Sequence, residues 1–315
     1  MTLPNFFIVG APKAGTDELY YDLDQHPEIY MSPLKEPCYF SSEIRPQNFE
    51  PSLRRQVELS VAATREFLDE GMTYKRFGGI ISEGSDYQRL FSRAKNERGV
   101  GEGSVCYLWS HSAPEAIAAA VPHARIIIVL MDPAERAFQQ YLKSISDGTV
   151  DHSFGEHLEA AFLPGGSELG VYHPFLLDFG NYFEQVRRYM KFFPAQQLHI
   201  SLYEDMQANH GEWFSGLLSF LEVEPEFVPE AVEVPSKPRV PRFPALSAAP
   251  WIRQLKKIAG VAIPKRLRTA LKQLISTHEL PQLPQQQRAI LVEYYRENIL
   301  HLQKLIGRDL SLWLR

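Results

Sequence analysis

The sequence contains only two cysteines, Cys38 and Cys106, which lie far apart and outside any CxxC or Cys/His ligand spacing. That scarcity argues against a zinc site and a disulfide framework and suits a reducing compartment. No apolar run of about 18 residues could span a bilayer. No basic start followed by an apolar stretch precedes the first strand-like run. The expectation is a soluble, cytoplasmic protein of bacterial style. No internal repeat is apparent, and neither a metal nor a nucleic-acid partner is expected. Acidic residues are missing from one segment: residues 235–278 hold ten Lys and Arg and no Asp or Glu. The net charge of −5 therefore conceals a local polycation, with 23 basic against 38 acidic residues, a net of −15, elsewhere. A solvated helical face, a membrane-surface stretch and a cover over a polyanionic ligand all fit such a segment.

The 315 residues, 44% hydrophobic, suffice for one large core. Four runs read as core strands: NFFIVG (5–10), RGVGEGS (98–104), ARIIIVLM (124–131) and QLHISLY (197–203). The third is continuously apolar, as in a strand covered on both faces. Helical patterns follow each run, which predicts an α/β domain with a central parallel sheet and helices on both faces. In DPAE, Asp132 reads as a helix cap, with Pro133 at the first helical position and Glu135 completing a capping box. In YEDM, Asp205 also reads as a cap. Residues 41–95 form an insertion with a helix-like stretch and the Gly-rich connector GGIISEGSD. The proline-rich 235–250 reads as an extended loop, and PQQQRAILVEYYRENILHLQKLIG as a closing helix.

The stretch FFIVGAPKAGTDELYYDL runs from strand to turn to helix. Gly10 and Gly15 are spaced as in a nucleotide-binding P-loop, where small residues let backbone N–H groups converge on phosphate at a helix start. A Walker A loop places Lys directly after the second Gly, and that position is Thr16. An ordinary Mg-dependent NTPase is thereby disfavoured; Asp132, at the end of the third strand, is already explained as a cap. In SPLKEPCYF, Lys35 and Glu36 precede Pro37. Glu36 held near a Lys and an anion site could take a proton from a nucleophile; the alternative is a surface Lys–Glu pair. GEGS places Glu102 and Ser104 at the carboxyl edge of a strand, where α/β folds bind ligands, so an acceptor-binding role is open to both. His111, His123, His152 and His157 read as surface or helix-end residues.

Taken in order, PKAGT, KEPCYF, GEGSVCYL, DPAERAFQQYL, FPAQQLHISLYEDM and YYRENILHLQKLIGRDLSLWL resemble the sulfotransferases that use 3′-phosphoadenosine 5′-phosphosulfate (PAPS), most closely the bacterial and carbohydrate (heparan-type) branches. The resemblance covers nearly the whole chain. It implies a single P-loop-like three-layer α/β domain, PAPS as donor, a small-molecule or carbohydrate acceptor and no metal requirement. Pro12, Lys13, Ala14, Gly15 and Thr16 match the family's phosphosulfate loop, with Lys13 in the electrostatic role. Glu36 matches the acceptor-deprotonating carboxylate, with Lys35 beside it. Arg136 matches one arginine of the 3′-phosphate block, Tyr182 falls on an element near the nucleotide, and Lys237, Arg239 and Arg242 fall in a late basic loop over it. The helical remainder, 250–273, stays open between a solvated and a membrane-facing surface.

Three donor positions depart from the pattern. Asp17 replaces the loop's second hydroxyl residue, and Met131 and Gln139 replace an Arg and a Ser of the 3′-phosphate block. An anion beside the expected sulfate is costly unless it turns away or is neutralised, and losing a bidentate Arg removes a strong phosphate contact. The alternative is therefore a homologue that has lost or changed its donor. Acceptor walls are expected from residues 37–95 and 146–180.

Overall fold

The computed structural model describes residues 3–49, 51–147, 149–163, 176–232, 240–241, 276–277 and 280–315. The elements run β1 (Phe6–Gly10), α1 (Thr16–Asp24), β2 (Ile29–Met31), β3 (Leu34–Lys35), α2 (Pro51–Asp69), β4 (Arg76–Phe77), α3 (Gly84–Arg89), β5 (Gly99–Gly103), α4 (Cys106–Trp109) and α5 (Ala113–Ala120). They continue with β6 (Arg125–Leu130), α6 (Pro133–Asp147), α7 (Phe154–Phe162), α8 (Tyr182–Phe192), β7 (Leu198–Leu202), α9 (Tyr203–Ala208), α10 (His210–Leu221), β8 (Val240–Pro241), β9 (Ser276–Thr277) and α11 (Gln285–Ile306).

Two compact units emerge. The first comprises residues 1–131, 181–234 and 298–309; the second comprises residues 132–180, 235–297 and 310–315.

The first unit carries a five-stranded sheet in the order β2-β5-β1-β6-β7. Every pairing in it is parallel, and helices cover both of its sides, as the alternation of strand and helix predicts. All five residues of β1 are buried, as are the last five of β6. Such continuous apolar strands are what a doubly covered parallel sheet requires. The four strands read from the sequence are present within a residue or two; β2 is the additional one. Three residues, Ile29–Met31, give no periodicity to detect, and their pairing with Gly99–Gly101 is what makes them a strand.

β5 has glycines where side chains would otherwise project because bulky neighbours fill that space. Gly101 lies opposite Phe6 in the register. A Cβ there would overlap the Phe6 ring and come 2.6 Å from Met31 Sδ.

In the second unit Asp132 caps α6, as read from the sequence: Oδ1 accepts from the N–H groups of Ala134 (2.8 Å) and Glu135 (3.4 Å). Arg288 of α11 donates to Asp132 Oδ2 at 2.7 Å and to Glu135 Oε1 at 3.2 Å. In the first unit Asp205 corrects its expected role. It is the third residue of α9 rather than the cap, accepts from the Leu202 N–H at 3.4 Å and is clamped by both guanidinium nitrogens of Arg308 at 2.9 Å. His111 and His123 are exposed as expected, but His157 is buried, with Nδ1 3.0 Å from His152 Nε2. Burial and the neighbouring His152 hold its pKa down to about 4. Among the described residues, no helix is long and apolar enough to cross a membrane.

Overpacking a filled core site costs about 1–3 kcal/mol. Gly101→Ala is expected to lower the unfolding free energy by about that amount in urea titration, and an unchanged midpoint would mean that the Phe6 ring can move aside.

Candidate active site

The turn between β1 and α1 is built for close backbone approach. Gly15 is the residue before α1 and has a left-handed φ of 75°. A Cβ there would strike Met206 Cε and lie 3.0 Å from the Tyr203 ring, so glycine is required on both conformational and steric grounds. Lys13 is also left-handed, at φ 73°. Non-glycine residues in that region are held there by their surroundings at a cost of about 1–3 kcal/mol, and such positions concentrate at functional sites. Glu36, at φ 68°, shares the feature. Both residues read as catalytic from the sequence are thus among the few such residues in the described chain. Pro12, Ala14 and Thr16 are buried in the turn, and Lys13 and Asp17 keep partial exposure. Because α1 leaves its first-turn N–H groups without helical acceptors and points its positive dipole end here, the turn suits an anion.

Asp17 is not a stray negative charge in this turn. Its Oδ1 lies 2.6 Å from Lys35 Nζ, and the same ammonium donates to Glu36 Oε1 at 2.8 Å. Lys35 is 1% exposed, so it is no surface residue, and its ammonium is committed to these two carboxylates rather than presented outward. Burial alone would lower its pKa, but the charges of Glu36 and Asp17, with hydrogen bonds to both, raise it well above the usual lysine range. β3 positions this lysine by pairing with β4, and Nζ stands 5.6 Å from the centroid of the Phe77 ring. The ring in turn stacks on Tyr21 of α1, 5.4 Å between centroids.

The second Glu36 oxygen, Oε2, accepts from the Val105 N–H at 2.8 Å, at the start of α4. The loop carrying Glu36 is stitched to residues 103–105. Glu36 N–H donates to Gly103 O at 2.8 Å and Cys38 N–H to Ser104 Oγ at 3.1 Å. Arg45 closes the loop on its other side, donating to the carbonyls of Cys38, Tyr39, Ser41 and Ile44. Glu43 ties the loop to residues 110–112. Despite partial burial, hydrogen bonds from Ser110, Ser112 and the His111 N–H bring its pKa down to about 2.

Glu102 and Ser104, read as candidates for acceptor binding, are fully buried behind this loop. Glu102 accepts from Ser104 Oγ at 2.5 Å and from Tyr87 OH at 2.9 Å. Burial raises its pKa to about 7 in spite of these donors. Together the two side chains support the Cys38 backbone. Tyr182, the first residue of α8, is also fully buried, and Met131 is a buried apolar side chain.

In the second unit Arg136 is fully buried, donates to the Leu176 carbonyl and is hydrogen-bonded with Tyr295. Gln139, three residues further along α6, is half-buried. Lys237, Arg239 and Arg242, together with 250–273, lie outside the described residues. Of the residues singled out from the sequence, the first unit brings Asp17, Lys35 and Glu36 into one cluster, and Lys13 lies in the same β1–α1 turn four residues before Asp17. The ion-paired bridge within it was not read from the sequence. The signal was present: an acidic residue in a candidate anion turn calls for a cation, and KEP supplies one beside Glu36.

The family model described as Sulfotransferase family matches residues 4–227. The Drosophila melanogaster protein named bifunctional heparan sulfate N-deacetylase/N-sulfotransferase is 26% identical over 227 residues, covering 71% of this chain and 20% of that protein. Human carbohydrate sulfotransferase 15 is 26% identical over 255 residues, covering 71% and 44% of the two chains. The chain thus spans less than half the length of these relatives. A crystal structure of a sulfotransferase from Alicyclobacillus acidocaldarius superposes over 100% of both chains with a TM-score of 0.70 and 28% identity.

Two outcomes test the cluster. Removing one partner of a buried ion pair costs about 3–5 kcal/mol, so Lys35→Met is expected to destabilise by roughly that amount. In a cycle with Asp17→Asn the double variant should lose less than the sum. Losses that add to within about 0.5 kcal/mol would show that the pair carries no coupling. Glu102 binds its proton more tightly folded (about 7) than at its ordinary value of 4.5. Stability should therefore fall as pH rises from 4.5 towards 7 and level off above it. Glu102→Gln should flatten that segment in denaturation measured across pH.

Proposed function

The chain belongs to the sulfotransferase family, and from that premise we propose that it transfers a sulfuryl group from PAPS to a hydroxyl or amine of a carbohydrate or small-molecule acceptor. The carrying observation is the fixed Glu36 carboxylate, held by the Val105 N–H and by the lysine that also binds Asp17 at the start of α1. A base linked in this way to the phosphate turn suits a reaction in which the acceptor loses a proton as it attacks sulfur. The acceptor oxygen or nitrogen forms the new bond to sulfur, the bond to the bridging phosphate oxygen breaks, and Glu36 takes the proton. The leaving group is adenosine 3′,5′-bisphosphate. Lys13 supplies positive charge where negative charge grows on the leaving oxygen, the term that dominates such loose transfers. Lys35 neutralises Asp17, so the acidic residue does not present an unbalanced charge to the incoming anion.

The residues fit the two ends of the donor unequally. The turn, with Gly15, Lys13 and the start of α1, fits a phosphosulfate. The 3′-phosphate block does not match as well: Met131 is apolar and Arg136 is fully buried with its guanidinium on a carbonyl. That observation favours a second reading, a family member that has lost or changed its donor and acts as a binding protein or in different chemistry. Human and fly relatives named for heparan and carbohydrate sulfation support a sugar acceptor.

Calorimetric titration with adenosine 3′,5′-bisphosphate, with ATP and Mg²⁺ as control, separates the readings. Selective bisphosphate binding is expected. Lys13→Ala should lower turnover by about 10²–10³-fold. Glu36→Gln should leave bisphosphate affinity intact and lower turnover by about 10²–10⁴-fold. Failure to bind the bisphosphate would favour the second reading, and full activity in both variants would sink the mechanism.

A further inference from the structure

The two cysteines, remote in sequence, meet beside the base. Cys106 Sγ lies 3.2 Å from Cys38 Sγ across a separation of 68 residues, and both thiols are free and buried. Cys38 stands two residues after Glu36, and its Sγ donates to the Glu36 carbonyl at 3.5 Å. Cys106 follows Val105, whose N–H holds the Glu36 carboxylate. The two backbones are already fastened by the bonds from Glu36 N–H to Gly103 O and from Cys38 N–H to Ser104 Oγ. Cys38 has a left-handed φ of 52°, a conformation a non-glycine residue keeps only where its surroundings impose it. The thiols therefore face each other across a rigidly held seam.

We propose that Cys38 and Cys106 are a redox-modification site, a dithiol that closes to an intramolecular disulfide on exposure to a peroxide and thereby shifts the loop carrying Glu36. One thiol and hydrogen peroxide give a sulfenic acid and water; the other thiol displaces the sulfenic oxygen as a second water, forming the S–S bond. Two electrons pass from the sulfurs to the peroxide, and a dithiol reductant reverses the change. A disulfide needs about 2.05 Å between sulfurs, so closure draws the two segments together by roughly 1 Å. Because the Glu36 carboxylate is held from both segments, that motion acts directly on the base. Burial, with Cys38, Glu36 and Glu102 nearby, pushes the Cys106 thiol well up, so closure is slow at neutral pH and is a response to sustained oxidant rather than a rapid exchange.

The thiol chemistry stands independently of the proposed function, while its effect on turnover rests on that reading, and the two are measured separately. The full chain is treated with hydrogen peroxide, denatured, alkylated and mapped by mass spectrometry. The expected product is monomeric, two hydrogens lighter, unalkylated at both cysteines and linked through the peptides containing Cys38 and Cys106. Dithiothreitol should reverse it, and Cys106→Ala should prevent it. Both thiols still alkylating, a sulfinic acid, or a linkage between two chains would each overturn the site, and the unmutated chain suffices for this result should the variant fold poorly. For the consequence, the oxidised protein should lose about 10²-fold in turnover, as a misplacement of roughly 1 Å can cause, while keeping its bisphosphate affinity. Cys106→Ala should be insensitive to peroxide. A disulfide that leaves turnover unchanged would overturn the coupling to Glu36, whereas a chain inactive before oxidation would count against the proposed function alone.

Discussion

A single buried ammonium organises the candidate site. Lys35 Nζ lies within 2.8 Å of carboxylate oxygens from the start of α1 and from the candidate base. A lone cation at that depth would shed its proton, and two unpaired carboxylates that close would repel one another. Together the three groups are stable because each removes the desolvation problem of the others, which is the condition under which buried charge is tolerated. The arrangement also fixes geometry. Lys35 belongs to a short strand paired with β4, Asp17 to the first turn of α1, and Glu36 to a loop bonded to residues 103–105. One side chain thus ties the start of α1 to the segment that carries Glu36, and Glu36 in turn fastens that segment to residues 103–105.

The surroundings place many hydrogen bonds on this loop. Arg45 donates to carbonyls of four of its residues, Ser104 receives a backbone N–H from it, and Glu43 gathers hydroxyl and backbone donors from residues 110–112. Left-handed conformations at Glu36 and Cys38 are sustained by that network. A loop so restrained can present a carboxylate without relying on its own conformational preference, which is how preorganised sites limit reorganisation during reaction. The same rigidity makes the seam sensitive to a covalent bond between Cys38 and Cys106.

Much of the framework was legible from local pattern. Continuous apolar runs marked the strands, Asp132 and Pro133 marked the start of α6, and the spacing of Gly10, Lys13 and Gly15 marked the turn between β1 and α1. Helix α11 was legible from its periodicity. These features are encoded within a few residues, so spacing is enough to reveal them. The strand Ile29–Met31 was too short to show a period, and the position of Asp205 within α9 rather than before it depended on where Leu202 left the sheet. His157 lay beyond reach for a related reason, since it packs against Tyr141 of the preceding helix α6, a contact that its local pattern does not show.

By itself, the sequence determined the chemistry available: a lysine-bearing P-loop-like turn, a carboxylate after a lysine, two thiols and a chain pattern that yields a parallel sheet. Tertiary structure alone decided which of these groups meet. Whether Asp17 is an obstacle or a partner, whether Lys35 faces solvent or the interior, and whether Cys38 and Cys106 are strangers or neighbours all depend on where the crossovers of a parallel sheet return the chain. Local spacing carries periodicity and turn chemistry, but charge neutralisation and sulfur contact act through space, between segments that only the assembled sheet brings side by side.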